Sequence, residues 1–191
     1  NYGSNTLYRN NGNGTFTDVT AEATLGDKRW AVSAAFGDYD ADGWLDLYVT
    51  NTVQFDYQKP DPMDCHYRGI TVQCGPLGMM GDSDILYKNR GNGTFEDVSE
   101  KTGVGNVIPS YGLGVVWSDF DNDGDQDIYV ANDQMANFLF ENKGNGTFEE
   151  IGLLAGAAFS DDGTAQGSMG VDFGDYDRDG LLDIFLTHFS D

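Results

Sequence analysis

Thirteen aspartates fall into three sets, twelve of them at one internal spacing. The sets are Asp38-Tyr39-Asp40-Ala41-Asp42-Gly43-Trp44-Leu45-Asp46, Asp119-Phe120-Asp121-Asn122-Asp123-Gly124-Asp125-Gln126-Asp127 and Asp175-Tyr176-Asp177-Arg178-Asp179-Gly180-Leu181-Leu182-Asp183. Carboxylates at positions 1, 3, 5 and 9, joined by the backbone carbonyl of position 7, converge on one point if the chain curls. A glycine at position 6 permits that curl, because it adopts positive φ at little cost. An all-oxygen shell of this kind suits a hard cation. Ca²⁺ fits better than Mg²⁺, which prefers a small octahedral shell rich in water. The predicted ligands are therefore Asp38, Asp40, Asp42, the Trp44 carbonyl and Asp46; then Asp119, Asp121, Asp123, the Asp125 carbonyl and Asp127; then Asp175, Asp177, Asp179, the Leu181 carbonyl and Asp183. About three Ca²⁺ per chain follow.

The bulk charge points the same way. The chain carries 32 acidic and 10 basic residues among 191, a formal charge of −22. That balance argues against nucleic acid, whose phosphates need clustered Lys and Arg. It would also repel itself on folding unless cations offset it. The loop is similar to the first part of an EF-hand, but an EF-hand adds a bidentate Glu at position 12 and flanking helices. Here position 12 of the first loop is Val49, and the flanks alternate as strands do.

Strands are the elements that must position these loops. An apolar run precedes each loop (Val32 to Phe36, Leu113 to Trp117) and another follows it (Leu45 to Thr50, Ile128 to Ala131). A third run covers Ile85 to Lys88 and Phe138 to Glu141. It leads into an Asn-Gly turn that supports a tight hairpin, and a fourth strand starts at Phe16, Phe95 or Phe148. Val98 to Gly103 reads as one helical turn. The aspartates recur 56 residues apart from Asp119 to Asp175, and 81 apart from Asp38 to Asp119. The excess of 25 falls between Thr52 and Ser83 and reads as an insertion.

Four short antiparallel strands per unit of about 50 residues is the pattern of a propeller blade; a β-solenoid is the alternative. The expected fold class is all-β. Its divisions are half a blade over 1–29, a blade over 30–103 with an insertion at 52–83, a blade over 104–155 and half a blade over 156–191. Two blades and two halves cannot close a ring, so the expectation is either an excerpt of a longer propeller or half-blades completed between copies, head to tail, as in a filament. Trp30, Trp44 and Trp117 are expected in the core between blades, with a sugar-binding role for an exposed Trp44 as the alternative.

Cys65 and Cys74 lie in the insertion and are expected to pair. Closing so short a loop would stabilise by about 2.5–3 kcal/mol in the chain-entropy view. Two reduced thiols, or a zinc site with His66, are the alternatives. A disulfide implies an oxidising compartment. No run of 18 apolar residues suggests a membrane-spanning helix. Asn13, Asn92 and Asn145 each begin Asn-Gly-Thr, an N-glycosylation sequon that reads here as a by-product of a hairpin turn, with glycosylation as the alternative. His66 and His188 are the only histidines, far apart in sequence, and the paired aspartates are committed to metal loops. No enzyme activity is expected; a calcium-dependent hydrolase would need further site residues.

Phe36-Gly37-Asp38-Tyr39-Asp40-Ala41-Asp42-Gly43 and Phe173-Gly174-Asp175-Tyr176-Asp177-Arg178-Asp179-Gly180 resemble FG-GAP/VCBS repeats, the propeller repeats also found in integrin α-subunits. Cys65-His66-Tyr67-Arg68-Gly69, with Val72-Gln73-Cys74-Gly75-Pro76-Leu77-Gly78, is similar to the ASPIC-type subgroup of cartilage acidic proteins. The resemblance covers the whole chain. It implies a secreted or surface-bound, non-enzymatic, calcium-binding propeller for adhesion or matrix contacts, meeting proteins, glycans or copies of itself.

Overall fold

The computed structural model describes residues 3–56, 58, 65–72, 75–76 and 78–189. Among them the chain is built of short antiparallel strands. These are β1 (Tyr8–Asn10), β2 (Phe16–Asp18), β3 (Ala31–Gly37), β4 (Asp46–Asn51), β5 (Cys65–Tyr67), β6 (Ile70–Val72), β7 (Ile85–Asn89), β8 (Phe95–Asp97), β9 (Gly112–Ser118), β10 (Asp127–Met135), β11 (Phe138–Asn142), β12 (Phe148–Glu150), β13 (Gln166–Gly174) and β14 (Asp183–Phe189). Single helical turns, α1 (Thr20–Ala23) and α2 (Ser99–Thr102), follow β2 and β8. The expected all-β class holds.

One four-stranded sheet runs β3-β4-β7-β8. Within a six-stranded sheet that also takes in β13 and β14, β9-β10-β11-β12 repeats that order, through the pairings of β9 with β10, β10 with β11 and β11 with β12. Hairpins β1–β2 and β13–β14 supply the last two strands and the first two strands of the same plan. The pattern of apolar residues explains the assembly. In the middle strands every residue from Asp46 to Asn51, and from Asp127 to Asn132, is buried. Successive side chains of a strand point to opposite faces, so a strand buried throughout has cover on both sides. Leu47 and Val49 join one core with Leu25 and Ile85, while Tyr48 joins another with Ile128, Val130 and Phe140. On the far face of the second sheet, Tyr129 meets Phe173 edge-on at 6.2 Å. A fully buried aromatic such as Phe140 is worth about 1.5–3 kcal/mol in apolar transfer.

Trp117 locks the first two sheets together. Its indole N–H donates to the Ala35 carbonyl at 3.0 Å, and its ring lies so close over Gly37 that a Cβ there would overlap it. Two features depart from the sequence-based expectation. Strand β10 runs four residues beyond Ala131, because a register shift at Ala131/Asn132 frees its tail to pair Asp133 with Gly167 of β13. Trp44 is not in the core. It is 53% exposed because position 7 of the loop lies outside the strands; its indole nitrogen lies over Gly91 in the neighbouring hairpin turn, 2.8 Å from where a Cβ would be.

The insertion carries the hairpin β5–β6, turned by Arg68 and Gly69 at φ of 50° and 79°. Paired positive φ values give the twist that two-residue hairpins favour. No described cysteine is free; Cys74 lies outside the described residues. No helix among the described residues is long and apolar enough to cross a membrane.

Candidate metal centres

Each acidic loop joins the first two strands of its unit: β3 to β4, β9 to β10 and β13 to β14. The position-1 carboxylate organises the turn. Asp38 accepts the N–H groups of Asp42 (3.1 Å) and Gly43 (2.9 Å). Asp119 accepts from Asp123 (3.0 Å) and Gly124 (3.1 Å), and Asp175 from Asp179 (3.1 Å) and Gly180 (3.1 Å). The N–H of position 7 donates to position 5 in all three, from Trp44 to Asp42, Asp125 to Asp123 and Leu181 to Asp179. The position-6 glycines have φ of 88°, 96° and 88°. Position 4 is also left-handed, at Ala41, Asn122 and Arg178 (φ 53°, 60° and 67°). That second bend was hidden in the sequence because no glycine marks it.

The loops lie side by side. The Asp38 N–H donates to Gln126 Oε1 at 2.8 Å, and Asn122 Nδ2 donates to the Gly180 carbonyl at 3.3 Å. The Asn142 side chain reaches from the second sheet to the Tyr39 carbonyl at 2.8 Å.

Within each loop, three carboxylates bring oxygens to within 4.8 Å of one another, close enough to share one ion. The groups are Asp38, Asp40 and Asp42; Asp119, Asp121 and Asp127; and Asp175, Asp177 and Asp183. The fourth expected carboxylate stands outside its group: Asp46, Asp123 and Asp179. Asp46 is fully buried. One of its oxygens accepts the Asn89 N–H at 2.7 Å and the other the Tyr39 N–H at 3.2 Å. Asp127 is held alike by Asn142 (2.8 Å) and Phe120 (3.1 Å). Burial pushes both acids up to about 6, against the backbone hydrogen bonds that favour the charged form. The donor set fits a hard divalent ion: in the first loop Asp40 Oδ1 is buried with no hydrogen-bond partner, an acceptor that only a cation or a donor would satisfy.

Two residues that sequence analysis passed over lie at these loops. Lys88, in β7, pairs with Asp40 and, at 3.1 Å, with Asp42, and its ammonium stands 5.8 Å from the Tyr39 ring centre. Burial lowers its pKa, but the hydrogen bonds to Asp40 and Asp42 outweigh that and hold it above the ordinary range. Glu141 takes the same place in β11, since Tyr87 faces Leu47 as Phe140 faces Ile128. The signal was available: Lys88 and Glu141 are the variable residues before the repeated asparagines Asn89 and Asn142.

The Asn-Gly-Thr triplets cap their hairpins. Asn13, Asn92 and Asn145 each accept the backbone N–H and the hydroxyl of the Thr two residues on.

A family profile described as FG-GAP-like repeat matches residues 1–49, 77–130 and 119–186. The internal stretch it omits, residues 50–76, falls largely in the insertion. The chain is 27% identical over 195 residues to Cartilage acidic protein 1 of Mus musculus, spanning 97% of this chain and 25% of that protein. It is 33% identical over 136 residues to Cartilage acidic protein 1 of Xenopus tropicalis, spanning 64% of this chain and 20% of the relative. The human protein of that name gives 27% over 195 residues, 97% and 24%. The chain spans at most about a quarter of the length of these curated relatives.

Proposed function

Because the chain belongs to the FG-GAP-like repeat family, we propose that it is a non-catalytic, calcium-binding segment of an extracellular β-propeller. In this reading the two four-strand sets β3-β4-β7-β8 and β9-β10-β11-β12 are blades, over 30–103 and 104–155. The terminal hairpins, in 1–29 and 156–191, are parts of adjoining blades. The observation that carries the reading is the threefold recurrence of one loop whose carboxylates come within 4.8 Å of one another. Asp38, Asp40, Asp42 and Asp46, and their counterparts at 119, 121, 123 and 127 and at 175, 177, 179 and 183, hold the ions, with the carbonyls of Trp44, Asp125 and Leu181.

Bound Ca²⁺ neutralises the gathered carboxylates and fixes the bend between two strands. The protein's own part is to preshape that bend through the backbone donors to Asp38, Asp119 and Asp175 and to orient the buried Asp46 and Asp127. We propose that Cys65 and Cys74 form a disulfide that pins the insertion, consistent with an oxidising, extracellular setting. Loops held rigid in this way would present surfaces to proteins or glycans of the matrix or cell surface.

Equilibrium dialysis against radiolabelled calcium tests the reading. About three ions per chain are expected, with one lost in Asp121→Ala; a chain that retains no calcium at millimolar free ion contradicts it.

A further inference from the structure

The three loops share one sequence pattern, but they do not gather the same carboxylates. In the second and third loops the close group joins positions 1, 3 and 9; in the first it joins positions 1, 3 and 5. The difference coincides with Lys88. Its ammonium pairs with Asp40 and with Asp42 at 3.1 Å, bridging positions 3 and 5. The side chain is only 21% exposed, held beside the Tyr39 ring at 5.8 Å. A monovalent cation supplied by β7 thus already sits on two of the predicted ligands.

The second loop is built the other way. Glu141 stands at the register position of Lys88, and position 7 is Asp125 where the first loop has Trp44. Lys143 pairs with Glu141 at 2.7 Å and approaches Glu149 at 3.6 Å, so it screens part of the added charge from the strand side.

Resting on the calcium reading above, we infer that the residue one place before the asparagine ending β7 or β11 sets the metal affinity of the loop beside it. Lys88 makes the first loop the weak site, and Glu141 makes the second the strong one. A divalent ion entering the first loop must displace or sit beside an ammonium, and it loses the attraction of two carboxylates already paired. In the second loop the same approach meets added negative charge. Coulomb energies between charges a few ångströms apart near a protein surface are large enough to separate such sites, so a difference of about tenfold in affinity is expected, which corresponds to about 1.4 kcal/mol.

Each loop contains one position-6 glycine whose N–H donates to its position-1 aspartate, so Gly43, Gly124 and Gly180 report on the loops separately. The experiment is a calcium titration of the 191-residue chain labelled with ¹⁵N-glycine, followed by the amide signals of these three residues. The Gly124 signal is expected to move at about tenfold lower free calcium than the Gly43 signal. Lys88→Gln should bring the Gly43 midpoint down about tenfold and leave Gly124 in place; Glu141→Lys should raise the Gly124 midpoint. Equal midpoints for Gly43 and Gly124 that neither substitution moves overturn this inference while leaving the calcium reading intact. Glycine signals that all stay still at millimolar calcium overturn both.

Discussion

The first and second acidic loops occupy the same place in two sheets of the same plan, yet they solve the problem of crowded carboxylates differently. Around the buried ninth position they are nearly superposable in their hydrogen bonds. Asp46 accepts from Tyr39 and Asn89, and Asp127 accepts from Phe120 and Asn142. Above that floor they diverge. The first loop is partly neutralised by Lys88 from its own sheet. The second is left with Asp125, Glu141 and no basic group paired to its loop carboxylates among the described residues. The repeated architecture therefore fixes the bend, while the neighbouring strand tunes its charge.

The largest expected effect tests the shared floor. Asp46→Ala and Asp127→Ala each leave two backbone N–H groups without an acceptor in a buried place, at about 1–3 kcal/mol per group. Each substitution should cost about 3–5 kcal/mol in urea unfolding with EGTA present. Asp123→Ala, at an exposed position, should cost under about 1 kcal/mol. If Asp46→Ala proved mild and Asp127→Ala severe, the two floors would not be equivalent.

A second contrast lies at the opposite end of the middle strands. Asp84 is buried, accepting the Asn51 N–H at 2.8 Å and the Tyr48 hydroxyl at 3.1 Å. The second sheet puts Asn137 in that place, with its side-chain oxygen accepting the Asn132 N–H at 2.8 Å. Burial pushes Asp84 up from 3.8 to about 7, opposed by the bonds from Asn51 and Tyr48 and by the charge of Arg29, and aided by Asp82. The folded chain thus keeps a proton that the unfolded chain has released, so this group lowers stability as pH rises from about 4 to about 7, and the whole cost is present above 7. Asp84→Asn should remove that slope and raise stability at pH 8 by about 1–3 kcal/mol. Unfolding free energies measured across pH 4 to 8 check it, and an unchanged slope would contradict it.

Lys88→Gln tests the divergence itself. Without calcium it should destabilise by about 0.5–1 kcal/mol, the modest worth of a partly exposed ion pair; with saturating calcium the loss should shrink or reverse. The smallest effect belongs to position 4. Ala41 sits at φ 53°, where a Cβ is unfavourable by about 1–2 kcal/mol. Ala41→Gly should gain about 0.5–1 kcal/mol after the added freedom of the unfolded chain. Asn122→Gly should gain less, because Asn tolerates that conformation. Thermal melts resolve the pair.

Much of this was legible in the sequence, for physical reasons that differ by region. The strands around the loops could be read because alternating residues serve two cores, as Leu47, Tyr48 and Val49 do, and the hairpins because Gly93 and Gly146 follow the asparagines Asn92 and Asn145. The acidic positions were plain from their spacing. The choice of which three carboxylates come together was not: the loop that differs is the one paired with Lys88, 42 residues after Asp46 in sequence and adjacent only once β7 pairs with β4. Trp44 was misplaced for a related reason: an aromatic at position 7 looks like core until the loop is seen to project beyond the strands. The tail of β10 was missed because Asn132 to Met135 carries no apolar alternation, and its pairing with β13 is made by backbone.

Thermal unfolding of the chain in EGTA and in millimolar calcium tests the central claim most directly. An ion bound only by the folded state stabilises it in proportion to RT ln(1 + [L]/Kd), about 2.7 kcal/mol for a site at one hundred times its Kd. The loops as metal centres predict a melting temperature several degrees higher in calcium, rising with calcium concentration and lost on chelation. Superimposable melts in the two conditions would contradict it.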